Sequence, residues 1–251
     1  MTARRVGKRV AWNNRTVLAV VPARGNSKGV PRKNMQKVGG LSLIAHAART
    51  IGELSWLDAA VLSTDDEEMA EEGRKHGLDV PFMRPPELAT DTATSLDTWR
   101  HAWLESEGHF GMRFDISLLI QPTNPLRRPD EVERTLRKLV EGGHQSAATV
   151  GQVPTDFSPA RCMTLGDNGT LSFYSPDGAE VTRRQDFPPL YFRDGTCYAV
   201  TRECLVDRGH IVEEDCAAVL IDRFVVNIDE PFELELAEFL LAREGNAGGS
   251  K

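Results

Sequence analysis

Short apolar runs rich in valine, leucine and isoleucine alternate along the chain with longer stretches whose apolar residues recur every three or four positions. The first pattern predicts buried strands, and the second predicts helices with one apolar face. Strands are predicted at residues 17–21, 59–62, 80–83, 116–120, 147–150, 196–200, 219–221 and 224–228. Helices are predicted at residues 41–54, 66–76, 94–107, 129–141 and 231–243. This alternation indicates an α/β fold with a doubly wound, mostly parallel sheet.

The alternation is interrupted between residues 151 and 193. This stretch contains several prolines and glycines, and its β-like pieces MTL and TLSFY flank GDNG, a sequence typical of hairpin turns. We expect a β-rich arm inserted at about 151–193 into a single domain that spans residues 17–243. Residues 1–16 predict a basic, flexible N-terminal arm, and residues 244–251 predict a disordered tail.

The composition is that of a globular protein, with 40% hydrophobic and 27% charged residues in a chain of 251. No apolar stretch approaches the roughly 20 residues that span a membrane, and the basic N-terminal segment lacks the apolar stretch of a secretory signal. The net charge of −7 argues against a nucleic-acid surface. Four cysteines lack the spacing of a metal or redox motif, which favours reduced thiols and a cytoplasmic location.

The loop after the first predicted strand concentrates positive charge. The sequence ARGNSKGVPRKN places Arg24, Lys28, Arg32 and Lys33 among two glycines and a proline. Ligands of open parallel sheets bind beyond the carboxyl ends of the strands, where this loop is expected. Four like charges in so short a loop repel each other unless an anion is present, so a polyphosphate ligand is indicated. The spacing matches neither the phosphate loop of classical ATPases nor the glycine fingerprint of dehydrogenases.

This loop resembles the signature loop of the acylneuraminate cytidylyltransferases, the CMP-sialic acid synthetases. Four further segments, VLSTDDEEMAEEGRKHG, RPPELATDTATS, LLIQPTNPLR and NIDEP, keep the family's order and spacing. The resemblance implies a Rossmann-like nucleotidyltransferase domain with an insertion used in dimerisation. It also implies that CTP is coupled to the anomeric hydroxyl of a sialic-acid-like nonulosonic acid, with release of pyrophosphate. We therefore expect a homodimer that acts on CTP and an acidic sugar, without nucleic-acid or membrane partners.

The resemblance assigns the nucleotide site by motif. Lys28 and Lys33 would be catalytic, since fixed lysines stabilise charge that builds on the α-phosphate and the leaving pyrophosphate. The remaining nucleotide-binding residues implied by the motifs are Arg24, Ser27, Asn34, Arg84, Ala93 and Ser95, of which the last three match positions around the cytosine.

The metal site implied by the resemblance shows a departure. The family tends to have two aspartates separated by one residue, which would hold Mg²⁺. This chain has Asn227–Ile228–Asp229 in a predicted strand, where alternate side chains share a face. Asn227 and Asp229 are therefore the candidate ligands, and the cofactor expected is Mg²⁺. Because the amide carries no charge, metal binding should be weaker unless another acid, such as Asp222 or Glu230, contributes.

The sugar site departs from the family as well. Gln121 matches a glutamine that lies at the sugar, and its amide can both donate to and accept from hydroxyls. Arg184 belongs to an arginine-rich RRQ sequence that is kept, whereas the later arginine and asparagine are replaced by a shifted Arg193 and by Asp194. The candidate sugar-binding residues are Gln121, Arg184, Arg193 and Asp194.

Several alternatives remain open at this point. The acceptor could be a pseudaminic, legionaminic, deaminated neuraminic or octulosonic type of acid. A glycosyltransferase that uses a nucleotide sugar is a second possibility, although it would lack the lysine loop. A nucleotide-binding regulator without catalysis is a third, favoured only by Asn227. The roles of Arg127 and Arg128, structural or functional, are also open.

Overall fold

The computed structural model describes residues 12–180 and 188–248. The strands in these ranges are β1 (Val17–Pro22), β2 (Lys37–Val38), β3 (Leu41–Ser42), β4 (Ala59–Ser63), β5 (Ile116–Leu119), β6 (Ser146–Gln152), β7 (Met163–Leu165), β8 (Leu171–Phe173), β9 (Tyr191–Thr201) and β10 (Ala217–Leu220). The α-helices are α1 (Leu43–Glu53), α2 (Glu67–Lys75), α3 (Ser95–Phe110), α4 (Pro129–Gly142) and α5 (Pro231–Gly248).

Six of these strands form one sheet in the order β10-β6-β9-β5-β1-β4. Strand β1 pairs in parallel with both β4 and β5, and β6 pairs in parallel with β10. Strand β9 alone runs antiparallel to its two neighbours, β5 and β6, within the described part of the chain. The prediction of a mostly parallel sheet is therefore confirmed.

Helices cover both faces of this sheet, which explains why the central strands are apolar at consecutive positions. Leu18 and Val20 of β1 pack with Trp99 and Trp103 of α3. Ala19 points to the opposite face and packs in the cluster formed with α1, α2 and α4. Because successive side chains of a strand alternate between faces, both sets are buried at once.

Polar side chains set the first turns of three helices. Ser42, Asp66 and Thr94 accept hydrogen bonds from backbone N–H groups of α1, α2 and α3 at 3.0 Å each. These bonds satisfy amide groups that the helix itself leaves unpaired. The starts of α2 and α3 are accordingly predictable from the sequence to within one residue.

Two of the predicted strands are wrong. At residues 80–83 a single bridge between Val61 and Asp79 replaces a strand, and Pro81 has no amide hydrogen to extend it. Residues 224–228 are not in a strand, because the Ile228 amide donates to the Thr123 carbonyl in the loop after β5 at 2.8 Å. That bond places the segment before α5 next to the carboxyl end of β5.

The ends of the domain extend beyond the predicted limits. Trp12, assigned to the flexible arm 1–16, is buried and packs edge-on against Trp56 with ring centroids 5.5 Å apart. The amide of Thr16 donates to Asp115 at 2.8 Å. The arm prediction is therefore wrong for residues 12–16, and residues 1–11 lie outside the described ranges.

The tail prediction for residues 244–251 is wrong over 244–248, where α5 continues, and residues 249–251 lie outside the described ranges. Glu244 pairs with Arg128 at 2.7 Å. Further along the helix, Glu238 accepts a hydrogen bond from the Gly39 amide at 2.6 Å, and a Cβ on Gly39 would overlap the side chain of Leu241. The last helix is thus docked on the β2–β3 hairpin from the first part of the chain.

The insertion contains the expected hairpin. Strands β7 and β8 pair antiparallel with Leu165 opposite Leu171, and Gly169 in the GDNG turn has φ +78°. The glycine relieves the strain that a side chain would meet at this angle. The hairpin is exposed on every residue of both strands, so it projects from the domain rather than joining its core. None of the helices in the described ranges has the length and apolar character that crossing a membrane requires.

Candidate active site

A cleft of about 610 Å³ lies at the carboxyl ends of β1 and β5. Four segments contribute to it: the basic loop after β1, residues 84–98 before and within α3, the loop after β5, and residues 227–230 before α5. The predicted site residues that line it are Arg24, Ser27, Lys28, Lys33, Asn34, Arg84, Ala93, Ser95, Gln121, Asn227 and Asp229. The structure therefore brings together residues that are far apart in the sequence.

Two cations of the basic loop share one acid across the cleft. Arg24 Nη2 lies 3.1 Å from Asp91 Oδ1, and Lys28 Nζ lies 2.9 Å from Asp91 Oδ2. Arg24 also donates through Nη1 to the carbonyl of Thr90 at 3.0 Å. The loop after β1 is thereby tied to the segment that leads into α3.

The third cleft cation, Lys33, contacts the segment before α5. Its Nζ lies 2.7 Å from Asp229 Oδ1, and its side chain is only 16% exposed. Gly29 makes this approach possible, because a Cβ at this position would overlap the carbonyl oxygen of Asp229. Only a glycine allows the two backbones to come so close.

Arg32 is the cation of the basic loop that does not line the cleft. Its backbone adopts a left-handed conformation with φ 49°, and its guanidinium pairs with Asp66 at 3.1 Å and with Glu68 at 2.7 Å. These acids lie at the start of α2, outside the cleft lining. The charge of the loop is thus divided between one structural contact and three cleft-facing groups.

Asn34 holds the loop in shape. It is buried, and its Nδ2 donates to the carbonyl oxygen of Arg24 at 3.2 Å. The adjacent Gly25 amide donates to Asp65 Oδ1 at 2.9 Å. These bonds fix the backbone that carries Arg24 and Ser27.

Arg84 forms the buried end of the cleft on the α3 side. Its Nε donates to Ser63 Oγ at 3.1 Å, and its Nη2 donates to the Ser63 carbonyl. Burial lowers the pKa of Arg84 to about 10, which still leaves the side chain charged at neutral pH. Ala93 and Ser95 line the same part of the cleft and leave space beside the guanidinium.

Gln121 follows β5 and faces the segment before α5. A Cβ on Gly195 would lie 3.3 Å from Gln121 Oε1 and 3.5 Å from Asn227 Oδ1. The side-chain amides of Gln121 and Asn227 therefore both lie next to Gly195. The Gln121 carbonyl accepts a hydrogen bond from Arg127 Nη2 at 2.5 Å, which fixes the backbone of this residue.

Asp194, which the sequence predicts at the sugar, is bonded within the sheet and lies outside the cleft lining. Asp194 is only 4% exposed and does not line the cleft. Its Oδ1 accepts hydrogen bonds from Thr149 Oγ1 at 2.5 Å and from the Thr196 amide at 2.9 Å. These contacts stabilise a bulge in β9, where the register against β6 shifts.

Arg193, one of the two arginines of the predicted sugar site, does not line the cleft. It is exposed and lies 5.9 Å from the ring centre of Tyr198. Arg184 falls outside the described ranges. Of the three predicted sugar-binding residues within the described ranges, only Gln121 lines the cleft.

The predicted metal ligands come together although they are not in a strand. Asn227 Nδ2 donates to Asp229 Oδ2 at 3.1 Å. Glu233 fixes this segment, since its Oε2 accepts the amides of Asp229 and Glu230 at 2.5 and 2.8 Å. Glu230 lines the cleft, whereas Asp222 does not. In the described ranges, no three His, Cys, Asp or Glu side chains form a group that could hold a metal ion by themselves.

Asp91 and Glu233 contact residues of the cleft, and the sequence interpretation did not single them out. Asp91 lies inside the quoted segment RPPELATDTATS, but nothing local in the sequence places its charge opposite the basic loop. Glu233 lies in the third position of α5, where an acid that caps the helix start is common.

The comparisons with known proteins agree with this geometry. A model of the family described as cytidylyltransferase matches residues 18–235. The chain belongs to the cytidylyltransferase family. Family membership confirms the resemblance and makes the protein a nucleotidyltransferase enzyme.

Individual relatives cover almost the whole chain. CMP-N,N'-diacetyllegionaminic acid synthase of Legionella pneumophila is 29% identical over 231 residues, which make up 90% of this chain and 96% of that protein. Pseudaminic acid cytidylyltransferase of Campylobacter jejuni is 27% identical over 89% of this chain and 95% of its own length. An N-acylneuraminate cytidylyltransferase of Streptococcus agalactiae is 30% identical over 84% of this chain and 50% of that protein.

Solved structures show the same fold. A CMP:2-keto-3-deoxy-manno-octonic acid synthetase in complex with CTP has a TM-score of 0.68 at 17% identity, over 91% of this chain and 99% of that one. A 4-diphosphocytidyl-2C-methyl-D-erythritol synthase from Anaerococcus prevotii has a TM-score of 0.65 at 12% identity, over 94% of this chain and 100% of that one. The α/β nucleotidyltransferase fold expected for the cytidylyltransferase family is therefore present.

Proposed function

We propose that the enzyme couples CTP to the anomeric hydroxyl of a sialic-acid-like nonulosonic acid, forming the CMP-sugar and pyrophosphate. The relatives named above for legionaminic, pseudaminic and N-acylneuraminic acids support this class of acceptor. The observation that carries the proposal is the cleft itself. It holds three cations of one loop between a buried arginine on the α3 side and an amide, Gln121, on the other.

In this proposal the loop binds the triphosphate and the α3 side binds the base. Arg24, Lys28 and Lys33 supply the positive charge, and Ser27 supplies a hydroxyl. The cytosine would lie at Arg84, with Ala93 and Ser95 beside it in the cleft lining. Asn34 contributes by holding the loop backbone through Arg24.

The reaction is a displacement at the α-phosphorus. The anomeric oxygen of the sugar forms a bond to this phosphorus, and the bond from the phosphorus to the oxygen bridging to the β-phosphate breaks. The hydroxyl proton passes to solvent water, and the electron pair of the broken bond leaves with pyrophosphate. Because negative charge increases on the leaving group, Lys28 and Lys33 would lower the barrier by preorganised electrostatic stabilisation.

Gln121 is the residue that we propose for the sugar. Its side chain lies at the carboxyl end of β5, and its backbone is fixed by Arg127. The amide can donate to one hydroxyl of the sugar and accept from another. Arg184 remains the candidate for the sugar carboxylate on sequence grounds.

We also propose Mg²⁺ as the cofactor, held by Asp229 and Asn227. One carboxylate and one amide oxygen suit a cation that takes few protein ligands and completes its shell with waters and substrate phosphates. The ion would offset charge on the triphosphate. In the present structure Lys33 neutralises Asp229 at 2.7 Å, so the protein groups fit Mg²⁺ best once phosphate oxygens engage Lys33.

The assembly proposed is a homodimer formed through the inserted arm. Exposed apolar side chains concentrate on the arm, among them Phe157 at 72%, Leu165 at 73% and Leu171 at 61% exposure. Apolar surface of this kind marks an interaction site, and a two-fold dimer is the commonest way to cover it. Light scattering at micromolar concentration should show a dimer, and a monomer would contradict the proposal.

The compartment proposed is the cytoplasm. The four cysteines are free, and burial raises the pKa of the Cys197 thiol to about 12. Unpaired thiols suit a reducing compartment.

A pyrophosphate-release screen tests the function. The four nucleoside triphosphates are each combined with neuraminic, legionaminic, pseudaminic, deaminated neuraminic and octulosonic acids, with and without Mg²⁺. The proposal expects release only with CTP, with one nonulosonic acid and with metal. Release with another nucleotide, or with the octulosonic acid alone, would contradict it.

A further inference from the structure

Asp91 occupies the position between the two cations that face the opening of the cleft. One carboxylate oxygen contacts Arg24 at 3.1 Å and the other contacts Lys28 at 2.9 Å. Each oxygen thus engages a different cation, as two oxygens of a phosphate group would. The hydrogen bond from Lys28 lowers the pKa of Asp91 and keeps the carboxyl charged.

These contacts are open to solvent. The side chains of Arg24, Lys28 and Asp91 are 33%, 76% and 47% exposed. Ion pairs in water are weak, so a stronger anion can displace the carboxylate without a large loss of energy. All three residues line the cleft that we assign to CTP, so the triphosphate and Asp91 would meet the same cations.

We propose that Asp91 is an internal counter-ion that holds Arg24 and Lys28 when the cleft is empty and competes with phosphate for them. This inference rests on the proposed function, because it assigns these cations to the triphosphate. Asp91 then sets the affinity for polyphosphates. A ligand must displace one carboxylate to bind, and the carboxylate returns to the cations as pyrophosphate leaves.

The competing interpretation is that Asp91 positions Arg24 for the nucleotide and stays in place when CTP binds. The two interpretations predict opposite changes in phosphate affinity when Asp91 is replaced. A competitor weakens phosphate binding, so its removal tightens binding. A positioning residue strengthens binding, so its removal loosens it.

The experiment compares Asp91→Asn with the wild-type chain and with Glu87→Gln as a control. Glu87 is an exposed acid in the same segment that does not line the cleft, so both variants remove one negative charge. Calorimetric titrations with inorganic pyrophosphate and with CTP measure Kd directly, first with a chelator and then with Mg²⁺. Circular dichroism checks that each variant is folded.

We expect Asp91→Asn to lower the Kd for pyrophosphate and for CTP by about three- to tenfold, the effect of removing two exposed ion pairs. Glu87→Gln should change either Kd by less than about twofold, since it alters only the screened long-range charge. Pyrophosphate should also inhibit Asp91→Asn more strongly than the wild-type enzyme. A Kd that is unchanged or higher in Asp91→Asn, or lowered equally in Glu87→Gln, would overturn the inference.

Failure of the inference and failure of the proposed function give different results. If the wild-type chain binds CTP and pyrophosphate but Asp91→Asn does not tighten binding, the inference alone fails. If Asp91→Asn tightens pyrophosphate binding but CTP is not preferred over the other nucleotides, the proposed function fails. A wild-type chain that binds neither ligand would overturn both.

Discussion

Two polar clusters lie at the carboxyl end of β5, and they use the same kinds of side chain in opposite ways. In the open cleft, Lys33 pairs with Asp229, whose side chain is 63% exposed. Beneath the cleft, Arg127 and Asp194 are 5% and 4% exposed. The exposed cluster can exchange its partners for a ligand. The buried cluster cannot, because a charge without a partner away from water is strongly unfavourable.

The side chains of the buried cluster therefore bond to backbone groups rather than to a ligand. Arg127 donates through Nε to the Thr196 carbonyl and through Nη2 to the Gln121 carbonyl, so it joins the end of β5 to the bulge of β9. Asn124 Nδ2 donates to Thr196 Oγ1 at 2.8 Å. Burial lowers the pKa of Arg127 to about 10, which keeps it charged at neutral pH. The difference between the clusters shows that the burial of a charged residue in a motif must be known before a ligand-binding role is assigned to it.

The largest effect is expected from the buried cluster. Arg127→Leu should lower the free energy of unfolding by about 2–6 kcal/mol, because it leaves the carbonyl groups of Thr196 and Gln121 without their donor, at roughly 1–3 kcal/mol each. Arg128→Leu is the matched control, because Arg128 is the next residue in the chain and its exposed guanidinium pairs with Glu244 on the surface. The control should lose less than about 1 kcal/mol. Urea unfolding measures both, and equal losses would remove the distinction between the clusters.

The exposed cluster should show the reverse behaviour. Lys33→Ala is expected to lower turnover by about 10²–10³-fold, the loss typical of one transition-state donor at roughly 3–4 kcal/mol, with little change in unfolding free energy. Lys37→Ala removes an exposed lysine of β2 that does not line the cleft, and it should keep normal turnover. Near-normal turnover in Lys33→Ala would contradict the proposal that Lys33 is catalytic.

A substitution of Gly29 tests whether the close approach of the loop after β1 to the segment before α5 matters for activity. Gly29→Ala places a Cβ on the Asp229 carbonyl, so the loop must move, and a displacement of about 1 Å is expected to reduce kcat/KM by roughly 10- to 10²-fold. Gly52→Ala is the control, because a Cβ there meets nothing within 4 Å in α1. Steady-state kinetics with CTP measures the effect, and identical values for the two variants would show that the loop tolerates the shift.

The smallest effect is expected from Asn227→Asp in the proposed metal site, for which Asp229→Ala serves as the severe reference variant. Asn227→Asp adds a negative charge next to Asp229 and should lower the Mg²⁺ concentration for half-maximal activity by about two- to fivefold. Asp229→Ala should nearly abolish activity. Activity measured against Mg²⁺ in the three proteins gives the answer. An unchanged metal dependence in Asn227→Asp would mean that residue 227 is not a ligand.

Much of the fold follows from local pattern. The apolar run at 17–21 predicts a central strand because both of its faces are buried, and the acids at 66–68 predict the start of α2 because they suit its first turn. The basic loop could be located for the same reason, since charge directly behind a buried strand has few structural explanations.

Contacts between distant segments could not be predicted in the same way. Asp194 follows Arg193 in the sequence, and nothing local shows that a bulge in β9 buries the acid while the arginine stays exposed. Similarly, Asp91 and Arg24 are joined only when the sheet forms. The strand predicted at 224–228 was wrong because the Ile228 amide bonds to a loop instead of a neighbouring strand.

The docking of α5 on the β2–β3 hairpin has a consequence for synthesis of the chain on the ribosome. A nascent chain that ends at Leu220 contains every strand of the main sheet in the described ranges, but it lacks both Asn227 and Asp229. The wall of the cleft that residues 227–230 form arrives with the last part of the polypeptide. A chain terminated at that point would therefore hold all strands of its main sheet and still lack the segment that carries the proposed metal ligands.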